Sequence, residues 1–203
     1  MKPVLTNSDL EGIADGGEVS VTPDTLVTPL AREEAERRRI TMRIIESAPG
    51  DAGRTVAIGA DHGGYELKEQ LRGHLRDWGY TVLDLGTDST APVDYPDFAE
   101  AVANALARGD AWRGVVIDTA GIGSAMAANK VPGVRAALCY DRATARNSRE
   151  HNDANLLSLG ARMVSSEVAR EILAVWLETP FAGGRHQRRV DKIRAIEERH
   201  TRK

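Results

Sequence analysis

The chain has 203 residues, 41% of them hydrophobic, enough for one well-buried domain with a tail beside it. Its 27 basic and 30 acidic side chains give a formal net charge of −3, which provides no global pull toward nucleic acid or membrane, so any basic site must be local. A single cysteine, Cys139, excludes an intramolecular disulfide framework, and no stretch has the apolar length of a membrane span or signal-peptide core, which makes the cytoplasm the default compartment.

Residues 1–53 scatter Gly, Ser, Thr, Pro and Asp among isolated apolar side chains and read as an N-terminal extension closing in a loose linker, ESAPGDAG. Inside it, TPLAREEAERRRI offers Thr28 as an N-cap, Pro29 at the first helical position, acids early and arginines late. That order complements a helix dipole and predicts one short helix over about 29–39.

From Arg54 onward the pattern alternates. RTVAIGA, YTVLDLG, RGVVID, GVRAALC and NLLSLG are short strand-like runs, and the segments between them have helical spacing, with a last helix over about 186–201. Strands alternating with helices form right-handed βαβ units. The expected fold over 54–203 is therefore α/β, a Rossmann-like three-layer arrangement around a five-stranded parallel sheet. In such sheets ligands bind beyond the carboxyl ends of the strands, so the residues just after each strand carry the information.

After the first of these strands comes Asp61-His62-Gly63-Gly64, an acid and a titratable ring in a flexible loop, although Asp61 is equally suited to cap the next helix. After the third comes Asp118-Thr119-Ala120-Gly121-Ile122-Gly123-Ser124, a glycine-containing turn whose N–H groups can face an anion. It lacks the G-x-G-x-x-G dinucleotide pattern, and the glycines also have a purely steric reading. Two further clusters, Ser148-Arg149-Glu150-His151-Asn152-Asp153 and Gly183-Gly184-Arg185-His186-Gln187-Arg188-Arg189, add histidines and arginines. Together these supply the three things a sugar phosphate needs: a phosphate clamp, an acid–base group for ring opening, and a base for carbon-acid chemistry.

The strings GADHGGYELK, DYPDFA, AGIGSAMAANKVPGVRAALC, SREHNDANLLSLGAR and GGRHQRRV, in this order from Thr55 to about His200, resemble the ribose-5-phosphate isomerase type B family, which also includes galactose-6-phosphate and tetrose-phosphate isomerases. The resemblance implies a homodimer with active sites between subunits, dimer against tetramer being left open, and neither metal nor organic cofactor. It also implies residue roles. His151 matches the ring-opening histidine and Asn152 a substrate contact; Arg185 and Arg189 match phosphate-binding arginines, and Arg162 a further phosphate contact. Asp61 and His62 match an acid–histidine pair lining the sugar site, Tyr95 a substrate-side tyrosine, and the loop holding Thr119, Gly121 and Gly123 a source of backbone donors to a developing oxyanion.

One departure stands out. The family commonly reads C-G-T-G-I-G where this chain has Asp118 to Gly123, and a second branch uses a glutamate where this chain has Ser124. Neither standard base is present, and Cys139 reads as a core thiol in the fourth strand. The leading expectation is that Asp118 serves as catalytic base beside His151 and Asp61, converting ribose 5-phosphate to ribulose 5-phosphate through an enediolate. The alternatives are a tetrose or hexose phosphate substrate, or a non-catalytic sugar-phosphate binder. The segment LVTPLAREEAERRRI resembles short helical segments on enzymes of bacterial microcompartments, which implies shell or cargo contact through residues 28–40; a solvated tail, or a segment that folds back on the dimer, is the competing reading.

Overall fold

The computed structural model describes residues 4–21, 25–44 and 54–201, and the expected 46–53 linker lies outside these. The chain divides into two compact units, Met1–Gly50 and Asp51–Lys203.

In the first unit, β1 (Val4–Leu5), a 3-10 turn (Asn7–Leu10), β2 (Glu18–Val21), β3 (Leu26–Val27), α1 (Pro29–Arg37) and β4 (Thr41–Ile44) follow in order. β1 pairs with β3 and β2 with β4, both in parallel. Thr28 caps α1, its Oγ1 accepting the Ala31 N–H at 3.3 Å, and Pro29 takes the first turn where no N–H is needed. Ala31 and Ala35, one helical turn apart, face inward against Leu5, Leu10, Val21 and Ile40. The apolar residues that look isolated in the sequence thus converge on a small core of their own, and the segment carries more regular structure than a tail with one helix.

The second unit begins with β5 (Thr55–Ala60), α2 (Tyr65–Asp77), β6 (Thr81–Asp84), α3 (Tyr95–Arg108) and β7 (Arg113–Asp118). It continues through α4 (Ile122–Ala128), β8 (Ala136–Leu138), α5 (Arg142–Asn152), β9 (Leu156–Gly160), α6 (Ser166–Glu178) and α7 (Gln187–Thr201). The five strands are all parallel, in the order β6-β5-β7-β9-β8. This is the expected α/β fold.

Because side chains alternate across a strand, the buried strands supply two cores at once. Val56, Ile58, Val115, Ile117, Leu157 and Leu159 pack on one face with Leu71, Leu75, Ile172, Leu173 and Trp176 of α2 and α6. Ala57 and Val116 pack on the other face with Val102, Ala103 and Ala128 of α3 and α4. The fully buried Trp176 satisfies its indole N–H on Ser148 Oγ at 3.1 Å. β8 is shorter than its sequence suggests, since Gly133 takes a left-handed φ of 82° and the Arg135 N–H is diverted to the Asn155 side chain. Cys139 falls just past the end of β8 rather than inside it, and burial pushes its thiol pKa up to about 11.

The strand order fixes where a ligand can enter. The chain passes from β5 to β6 on one side and to β7 on the other, so the switch point lies between β5 and β7. Ala60 pairs with Ile117 in register, and the next residues on the two strands are Asp61 and Asp118.

Candidate active site

Asp61 is 6% exposed, and its Oδ1 accepts the Gly64 N–H at 2.9 Å, which caps the approach to α2. The second carboxylate oxygen accepts nothing among the described residues. His62 follows, its Nδ1 held at Val93, with the Val93 carbonyl at 3.1 Å and N–H at 3.2 Å. Glycine is required at the next position: a Cβ on Gly63 would collide with Thr119 Oγ1 and stand 3.3 Å from Asp61 Oδ1. The loops after β5 and β7 therefore touch.

The β7 loop is organised around Asp118. Its Oδ1 accepts the N–H groups of Ala120, at 2.7 Å, and of Gly121, and its Oδ2 accepts the N–H of Ser124 at 3.0 Å and the Ser124 hydroxyl at 2.5 Å. A carboxylate offers about four lone-pair positions, and all four are used within seven residues of chain. The concave set of N–H groups expected to hold an external anion thus already holds an internal one. The Gly121 N–H is committed to Asp118 and is no free oxyanion donor. The loop's carbonyls are also fixed, Ala120 by the Tyr140 hydroxyl at 2.8 Å and Gly121 by the buried Ser158 hydroxyl at 2.6 Å. Gly121 adopts a left-handed φ of 80°, and a Cβ there would stand 2.5 Å from Leu138 Cδ1.

Tyr95, the first residue of α3, lays its ring across Gly123, where a Cβ would meet the ring and hydroxyl at 2.5–2.7 Å. Arg162 follows β9, its N–H on the Thr119 carbonyl at 3.0 Å, and its guanidinium has no partner among the described residues. His62, Thr119 and Arg162 line one cavity of about 650 Å³.

A second group forms around His186. The His151 and His186 rings stack with centroids 4.2 Å apart and planes 6° from parallel. Asn147 Nδ2 lies 2.8 Å from His151 Nδ1. Arg185 Nε stands 3.3 Å from His186 Nε2, and an Arg189 guanidinium nitrogen 3.5 Å from its Nδ1. Burial, followed by the charges of His151, Arg185 and Arg189, holds the His186 pKa below the ordinary imidazole value. A neutral imidazole accepts at only one nitrogen, so one of the two arginines has no acceptor there. Neither forms an ion pair with an acid among the described residues. Asn152, at the end of α5, lines a different cavity of about 670 Å³ beside Ile193 and Ile196 of α7.

Apart from Asn152, the expected site residues thus fall into two groups. Asp61, His62, Tyr95, the Asp118–Gly123 loop and Arg162 gather at the switch point, while His151, Arg185 and Arg189 gather around His186 and do not line the Arg162 cavity. His186 and Ser124 went unassigned on sequence reasoning. The signal for His186 was its place between two arginines in GGRHQRR, and for Ser124 its spacing from Asp118; Tyr140 and Ser158 gave none.

The sequence pattern of the Ribose/Galactose Isomerase family matches residues 56–193. The chain belongs to this family. Ribose-5-phosphate isomerase B of Escherichia coli K12 is 44% identical over 144 residues, covering 71% of this chain and 97% of the relative. D-erythrulose-4-phosphate isomerase of Pectobacterium atrosepticum is 40% identical over 141 residues, covering 68% and 92%. Among solved structures, Clostridium thermocellum ribose-5-phosphate isomerase B superposes with a TM-score of 0.72 at 50% identity, covering 72% of this chain and 99% of that one. As a Ribose/Galactose Isomerase family protein, this chain is a sugar-phosphate isomerase, an intramolecular oxidoreductase.

Proposed function

We propose that this protein interconverts ribose 5-phosphate and ribulose 5-phosphate through an enediolate, acting as a homodimer. The observation that carries the reading is the set of uncompensated guanidinium groups: Arg162, Arg185 and Arg189 have no acid partner among the described residues, and a phosphate dianion is the ligand such forks take up. His151 opens the furanose. With an Asn147 N–H donated to its Nδ1, the neutral ring keeps its proton on Nε2, ready to donate to the ring oxygen. His62 and Tyr95 flank the sugar, Asn152 contacts it, and a carboxylate at the switch point moves the proton between C1 and C2.

The separation of the two groups supports the homodimer. His151, Arg185 and Arg189 of one protomer complete the switch-point cavity of its partner, so each site draws on both chains. The E. coli relative favours the pentose, whereas the Pectobacterium relative, at nearly the same identity, favours a tetrose phosphate as the second reading. Measuring kcat/KM for tetrose, pentose and hexose phosphates decides between them. The highest value is expected for ribose 5-phosphate, with Arg185→Ala raising KM about tenfold or more through loss of a charge-assisted phosphate bond. A higher kcat/KM on the tetrose phosphate overturns the pentose assignment.

The N-terminal unit is read as an attachment module for a microcompartment shell or its cargo through residues 28–40. The support is Leu30, an apolar side chain on α1 that is 61% exposed.

A further inference from the structure

We infer that Asp61, rather than Asp118, is the base that carries the proton between C1 and C2, and that Asp118 serves as the internal anion shaping the β7 loop. This rests on the isomerase reading above and assigns its proton-transfer step.

A base needs a lone pair that the substrate can reach. Asp118 has none to spare: Oδ1 holds the Ala120 and Gly121 N–H groups, and Oδ2 holds both the N–H and the hydroxyl of Ser124. Asp118 and Ser124 are 5% and 2% exposed, and the loop carbonyls are pinned by Tyr140 and Ser158, so releasing Asp118 means rebuilding the loop. Asp61 directly follows Ala60, whose register partner Ile117 directly precedes Asp118, so the two carboxylates leave neighbouring strands one strand spacing, about 4.8 Å, apart. Only its Oδ1 is engaged, by the Gly64 N–H. The other oxygen makes no hydrogen bond among the described residues and is not fully enclosed by protein. The neighbours of Asp61, His62 and Thr119, line the cavity with Arg162.

The step balances without a co-reactant. The open-chain aldose phosphate gives its C2 proton to the free oxygen of Asp61. The C–H pair becomes the C1=C2 double bond, and the carbonyl pair moves onto O1. The O2 proton passes to O1, and the C1=C2 pair takes the proton from Asp61 at C1 as O2 becomes the ketone. Asp61 ends as it began, and the product is the ketose.

The test uses the full chain and ribose 5-phosphate in D2O, following loss of the C2 proton signal by NMR. Asp61→Asn is expected to slow exchange about a hundredfold or more, the usual contribution of a positioned general base, while calorimetry still detects ribose 5-phosphate binding. Folded Asp118→Asn is expected to slow exchange less than Asp61→Asn does, through the loop it shapes rather than through the proton-transfer step. Loss of exchange in folded Asp118→Asn with exchange retained in Asp61→Asn overturns the inference. Should Asp118→Asn fail to fold, Ser124→Ala decides, because it returns one lone pair to Asp118. An acid limb of the kcat/KM pH profile that stays in place supports Asp61, and one that moves identifies Asp118 as the base. A wild type silent on tetrose, pentose and hexose phosphates defeats the isomerase reading and this inference with it.

Discussion

Lys68 is the most deeply buried charged side chain described, 1% exposed, and its ammonium meets Asp84 at 2.8 and 2.9 Å and Glu69 at 2.9 Å. Arg72 reaches the same Asp84 oxygen at 2.8 Å, and the Gly86 N–H meets the other at 3.0 Å. Burial acts to raise the Asp84 pKa, but the bonds from Lys68, Gly86 and Arg72 together outweigh it and hold the carboxyl below its ordinary value. A carboxyl whose folded pKa is depressed stabilises the fold fully above its unfolded value of about 3.9, and that contribution fades as pH falls through the folded value. Asp84→Asn is therefore expected to lose about 3 kcal/mol at pH 7, because it leaves the buried ammonium short of its main partner. Urea unfolding checks this: the gap between wild type and variant should shrink below about pH 4. A gap constant down to pH 3 contradicts the account. The Asp118 loop shows the same physics turned to shape rather than to charge balance, and that distinction could not be read from residue order. A sequence gives a carboxylate after a strand; only the coordinates give the number of donors already on it.

At the scale of elements, the second unit was legible because its three central strands, β5, β7 and β9, are almost wholly buried. Runs such as VAIGA and VVID are continuous and apolar, and each is followed by a helix with an apolar stripe. The first unit was not legible in the same way. Its strands β1 and β3 are two residues long, too short for an alternating pattern to register, and the core they adjoin gathers Leu5, Leu10 and Ile40 with Ala31 and Ala35 of α1 from distant points of the segment. α1 announced itself through Thr28 and Pro29, which act locally and need no tertiary partner to be recognised. The attachment reading of this unit leads to a prediction on its outer face. Leu30→Glu, at an exposed position, should leave melting temperature and turnover unchanged while abolishing co-sedimentation with assembled shells. Retention of the variant in the shell fraction contradicts that reading.

At the scale of the whole molecule, the sheet carries Asp61 and Asp118 to its switch point, and the segment after α6 gathers Arg185, His186 and Arg189 against His151. Motif strings revealed which residues belong to the site. They could not reveal that the chain holds these residues in separate groups, since that depends on where α5 and the segment leading into α7 lie against the sheet. Among the described residues no helix is long and apolar enough to cross a membrane. The central claim is that this fold isomerises a sugar phosphate by removing a carbon-bound proton and returning it. It is tested most directly by converting ribose 5-phosphate in D2O with wild-type protein and locating the label by NMR. The account predicts ribulose 5-phosphate with deuterium at C1 and recovered ribose 5-phosphate with deuterium at C2. Conversion that leaves both carbons unlabelled, as a direct hydride shift would, contradicts it.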